Sequence, residues 1–77
     1  MNENEKMELT RFLNDLGKRI KFLREERGMT QLELGDKIGK DFQSVSRIEN
    51  GKINSSAFII KSIADALQVG MDELFVK

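Results

Sequence analysis

Along most of this chain the apolar residues return every three or four positions, and glycine-bearing breaks cut that pattern into pieces. Leu9, Phe12, Leu13, Leu16, Ile20 and Leu23 make the first series, the spacing of one helix face, and predict an amphipathic helix over about 8–27. Gly28 follows where a C-terminal cap would sit. "TQLE" then reads as a capping box, with Thr30 as N-cap and Glu33 reaching back. It opens a short second helix with Leu34 and Ile38 inside and Gly39 as its stop. Asp41 can cap a third helix with Val45 and Ile48 turned inward, ended by Asn50-Gly51. Ser55 or Ser56 caps a fourth, carrying Ile59, Ile60, Ile63, Ala64 and Leu67. "VGMDELF" predicts a turn and a last short helix with Leu74 inward. No segment alternates apolar and polar residues long enough to make a strand. The expected fold is all-α: a compact five-helix globule over 9–77, preceded by a frayed acidic segment, 1–8.

Composition removes several function classes. Seventy-seven residues form one domain, near the size at which a single core becomes marginal. The chain has neither cysteine nor histidine, so no disulfide supports it and the usual nucleophile–base pairs and transition-metal sites are missing. A chain this short would struggle to enclose a pocket for catalytic carboxylates or lysines. No enzyme, metal or cofactor is expected. The longest apolar run, "AFII", is too short to cross a bilayer, and no signal-like segment opens the chain. A cytoplasmic protein of bacterial or phage type, nucleoid-associated, is the expectation.

The third helix asks for a different explanation. "FQSVSRIENGK" carries only three separated apolar positions, Phe42, Val45 and Ile48, in a row of amides, hydroxyls and an arginine. One side reaches a core; the other carries donors and acceptors with no partner inside the chain. Together with "TQLELGDKI" and a three- or four-residue turn around Gly39, it makes a helix-turn-helix. From Leu16 to Phe75 the sequence resembles the phage-repressor and Cro-like DNA-binding family, the XRE group. The segments that carry the likeness are "RIKFLREERGMTQLEL", "SRIENGK" and "IADALQVGMDELF". The resemblance implies a lambda-repressor-like domain that binds double-stranded DNA and regulates transcription as a repressor, its third helix (42–50) in the major groove.

On that reading the spare polar side of the helix is the reading face. Phe42, Gln43, Ser46 and Arg47 are expected to project away from Val45 and Ile48. Gln43 can bond adenine bidentately, Arg47 guanine, and Phe42 can meet a thymine methyl. Gln31 opens the second helix, where its side chain and the free N–H groups suit a backbone phosphate, the role the resemblance implies. Lys40, Ser44, Asn50, Lys52, Asn54, Ser55 and Ser56 are further phosphate candidates. The resemblance gives Arg24 and Glu49 another task, a structural ion pair beneath the DNA surface. Glu49 taken alone would also suit a cytosine contact.

Some features depart from the family pattern or oppose the DNA reading. Gly35 stands where Ala is usual, small enough for helices to approach but weakening its helix by up to ~1 kcal/mol. Lys40 and Asp41 replace an apolar residue and Ser; Asp41 caps well, yet puts a carboxylate near phosphates. Ser55 stands where Pro is common, leaving its loop less rigid. Thirteen basic residues are cancelled by thirteen acidic ones, whereas DNA-binding domains usually carry a positive surplus.

Assembly follows from the same reading. One recognition helix contacts few bases, so a homodimer on a pseudo-palindromic operator is expected, its two recognition helices ~34 Å apart. Phe58, Met71, Phe75 and Val76 exceed one inward stripe and are the interface candidates; Phe58 and Phe75 closing the core against Phe12 and Phe22 is the alternative. Two other readings keep the fold. One makes the protein an antitoxin with a toxin partner, or a restriction–modification controller. The other makes it a protein-interaction module that has lost DNA affinity.

Overall fold

A computed structural model describes residues 1–76, which form four α-helices and a closing 3-10 turn. Helix α1 spans Glu3–Glu26, α2 Gln31–Ile38, α3 Phe42–Glu49 and α4 Ala57–Leu67, and Met71–Phe75 make the 3-10 turn. Among the described residues there is no strand, and no helix is long and apolar enough to cross a membrane.

Two boundaries differ from the sequence expectation. Helix α1 begins at Glu3, not near residue 8, because Asn2 forms a capping box with Glu5: its Oδ1 accepts the Glu5 N–H at 2.8 Å, and the Asn2 N–H donates to Oε1 at 3.0 Å. The segment expected to fray is therefore helical, although all of residues 1–8 stay exposed. The expected fifth helix is a 3-10 turn. Five residues are too few to propagate an α-helix, and the tighter turn is used in such short pieces.

The other caps sit where the residue types place them. Thr30 and Glu33 exchange hydrogen bonds at 3.0 and 2.9 Å, Asp41 accepts the Ser44 N–H at 2.7 Å, and Ser56 accepts that of Ile59 at 3.2 Å. Gly39 ends α2 with φ +72°, a left-handed conformation that costs Gly nothing. At the end of α4 the same conformation falls on Gln68, φ +60°, which bears the cost as a non-glycine.

Leu16, Ile20 and Leu23 of α1, Leu34 of α2, Val45 and Ile48 of α3, four α4 residues (Ile60, Ile63, Ala64, Leu67) and Leu74 build one core. Burying each large aliphatic side chain stabilises by roughly 1.5–3 kcal/mol. Met29, Ile38, Ile53 and Val69 pack on its margin. Two glycines set how closely the layers meet. A Cβ on Gly17 would overlap the Glu49 carbonyl and lie 2.6 Å from the Ile48 carbonyl, so α1 touches the backbone of α3 directly. A Cβ on Gly35 would lie 2.5 Å from the Lys40 carbonyl, so α2 is pressed onto its own turn. Arg27 closes the far end, donating from Nε to the Leu67 carbonyl at 2.7 Å.

Candidate nucleic-acid interface

Helix α3 is buried along Val45, Ile48 and Glu49 and exposed at Gln43, Arg47 and Asn50. At about 100° per residue, those last three point directly away from the buried stripe. Gln43 and Arg47 therefore stand where the sequence predicts, one turn apart on a free face. Ser46 is half-buried at the edge of that face, and its Oγ accepts a long bond from Asn50 Nδ2, 3.4 Å. Ser44 is half-buried on the opposite flank.

Phe42 requires a correction. It does not project away from Val45 but lies on its side of the helix, three residues earlier. There it lines a concavity with Met29, Thr30, Gln31 and Leu32, and it is half exposed. Its place is the flank of the face that carries Gln43 and Arg47, against the start of α2.

Beneath α3, Arg24 and Glu49 are buried, 7 % and 5 % exposed, and joined by two bonds: Nε to Oε2 at 2.6 Å and Nη2 to Oε1 at 3.0 Å. Arg24 Nη1 donates to the Met29 carbonyl at 2.7 Å, so one guanidinium links α1, the α1–α2 loop and α3. The hydrogen bond and charge of Glu49 hold the Arg24 guanidinium even more firmly protonated than usual. Gln31 joins the same network, its Nε2 donating to Glu49 Oε1 at 3.0 Å. The remaining amide N–H and oxygen of Gln31 are left for another partner. The Asp41 carboxyl is held below the usual range by its bonds from Ser44, helped by nearby Arg47 and Lys40.

The phosphate candidates do not all gather around α3. Lys40 is exposed in the turn, and Asn50 and Lys52 are exposed beyond the helix end. Asn54 and Ser55 instead line a cleft with Phe12, Leu13, Met71 and Phe75, and the Ser56 hydroxyl caps α4. Lys21, which the sequence reading does not single out, is exposed one turn after Gly17 on the side of α1 that packs on α3. The four interface candidates are all exposed, Phe58 the most at 73 %. Phe75 stacks on Phe12 with ring centroids 5.7 Å apart, while Phe58 does not close the core and Phe22 lies under the Arg19 guanidinium.

Two short helices locked at a three-residue turn, the second with a polar outer face and an ion-paired underside, define a helix-turn-helix domain. The chain belongs to the helix-turn-helix family of XRE type, whose model, described as Helix-turn-helix, matches residues 20–74. It is 31 % identical over 62 residues to the "Competence pilus inhibition repressor" of Acinetobacter baylyi, covering 80 % of this chain and 56 % of that protein. An "Uncharacterized HTH-type transcriptional regulator" of Sinorhizobium fredii is 39 % identical over 54 residues, covering 70 % of this chain and 38 % of that protein. This chain thus spans about half the length, or less, of these two relatives. The crystal structure of the restriction-modification controller protein C.AhdI from Aeromonas hydrophila superposes with a TM-score of 0.80 at 35 % identity, over 82 % of this chain and 96 % of that one.

Proposed function

We propose that the chain is a sequence-specific double-stranded DNA-binding transcriptional regulator, acting as a repressor, with α3 in the major groove. The observation that carries this reading is the outer face of α3. The side chains of Gln43 and Arg47 are exposed one turn apart, make no hydrogen bond among the described residues, and stand on a helix whose other side is fixed to the core. Bidentate amide and guanidinium groups at that spacing suit adenine and guanine edges. Ser46 adds a hydroxyl, and Phe42 an apolar contact at the flank. Gln31 at the start of α2, with Lys40, Asn50, Lys52 and Lys21, suits phosphates on either side, and these contacts fix register without reading sequence. Ser44, Asn54, Ser55 and Ser56 are weaker members of that set.

The regulator works as a homodimer on a pseudo-palindrome. The surface around the Phe12–Phe75 stack, continued by Met71 and Val76, is the proposed dimer contact, with exposed Phe58 of α4 as a further candidate, because an exposed apolar patch of this kind marks an interaction surface. A restriction–modification controller is the second reading, favoured by the likeness to C.AhdI at 35 % identity. The genes beside this one discriminate between the two.

A mobility shift with genomic DNA fragments, at low and at physiological salt, tests the proposal. Retarded fragments that share a two-fold sequence support it. Failure to shift any fragment at low salt overturns it in favour of a protein-interaction module. Sedimentation with and without the selected site tests the dimer; one chain per half-site at every concentration contradicts it.

A further inference from the structure

Leu32 and Phe42 are large apolar side chains left 56 % and 50 % exposed, and they line one shallow concavity where the end of α1 (Arg24, Glu25) and the α1–α2 loop meet the first turns of α2 and α3. The helical pattern does not ask for Leu32. It lies two residues before buried Leu34, on the outer side of α2, so the core gains nothing from it. Gln31 precedes Leu32 and Gln43 follows Phe42, so the apolar pair is continuous with the groups assigned to phosphate and base. Its occupant should therefore be an apolar group presented by the major groove itself. A base pair offers only one there, the C5-methyl of thymine.

We propose that Leu32 and Phe42 together form a receptor for a pyrimidine C5-methyl group, with Leu32 a specificity residue alongside Phe42. The inference rests on α3 being the reading helix. It has a consequence for modified DNA, since 5-methylcytosine carries its methyl at the same ring position. A cytosine at the contacted position gains affinity when methylated, which makes binding responsive to C5 methylation of the site.

The probe is the selected site with each thymine replaced in turn by deoxyuridine, which keeps every hydrogen-bonding group and removes only the methyl. Burying one methyl predicts a loss of about fourfold in affinity at one thymine of each half-site. That loss should disappear in the doubly substituted Leu32→Ala, Phe42→Ala chain. With cytosine at the same position, C5 methylation should restore about fourfold. Specific binding of unmodified DNA with no deoxyuridine effect anywhere overturns the proposal and leaves the regulator reading intact, as does a loss that persists in the double variant. Should the double variant keep both affinity and thymine preference, the pair belongs to a protein partner and the proposal fails. No specific binding to unmodified DNA overturns both readings. If the double variant does not fold, the deoxyuridine and methylcytosine series on the native chain decides alone.

Discussion

Arg24 of α1 and Glu49 at the end of α3 form a buried two-pronged ion pair, and one oxygen of that carboxylate also accepts from Gln31. The pair ties α3 to the scaffold while orienting the half-buried Gln31 at the start of α2. Removing one partner of such a pair leaves an uncompensated buried charge, at a cost of about 3–5 kcal/mol.

Glu49→Ala should therefore lower the melting temperature by about 12 °C or more, at about 4 °C or more per kcal/mol for a domain of this size. Thermal unfolding followed by circular dichroism measures it. An unchanged melting temperature with altered base preference would make Glu49 a reading residue instead.

Gly35→Ala sets two principles against each other. Helix propensity alone predicts a gain of about 1 kcal/mol. The Lys40 carbonyl, 2.5 Å from the added Cβ, predicts a loss, and so does the Glu49 carbonyl for Gly17→Ala. Backbone cannot give way as a side chain can, so both variants should melt below the native protein. A gain would show that the turn, for Gly35→Ala, or the contact of α1 with α3, for Gly17→Ala, relaxes freely.

Gln68 carries the opposite expectation. Its left-handed backbone suits glycine, so Gln68→Gly should stabilise by about 0.5–1 kcal/mol, after allowing for the freer unfolded chain. Urea unfolding reads the change, and a destabilised variant contradicts it.

Asp41 links stability to pH. The capping bonds from Ser44 depress its pKa in the folded state, and those from Thr30 do the same for Glu33. Such stability is fully present above the unfolded pKa values, about 3.9 and 4.3, and is lost as pH falls through the lower folded ones. The melting temperature should fall below about pH 4, and less steeply in Asp41→Asn, which keeps a good cap. On the proposed reading the same variant should bind DNA more tightly at neutral pH, because it removes a carboxylate at the start of the helix assigned to the major groove. Unaltered acid sensitivity together with unaltered affinity would dismiss both roles of the charge.

What the sequence made legible was local. Thr30 with Glu33, Asp41, Ser56 and Gly39 act within four residues of themselves, so their residue types suffice to place helix ends. Asn2 and Glu5 show the same spacing and could have been read in the same way; the acidic composition of the segment masked it. Gly17 was illegible because its reason is the carbonyl of Glu49, distant in sequence. The exposure of Gln43 and Arg47 was legible, because distance from the buried stripe is simple counting. The direction of Phe42 was not, because residues three apart share a side of the helix, and neither was the placement of Asn54 and Ser55, whose loop turns toward Phe75. The Arg24–Glu49 pair came from resemblance, since no local pattern announces it.

The most direct test of the account compares Arg47→Ala and Gln31→Ala on the selected site and on random DNA. Arg47→Ala should cost about 1–3 kcal/mol on the selected site, much less on random DNA, and relax preference at one base position. Gln31→Ala should weaken both by a similar factor. Equal losses on specific and random DNA for Arg47→Ala would contradict the claim that the outer face of α3 reads sequence.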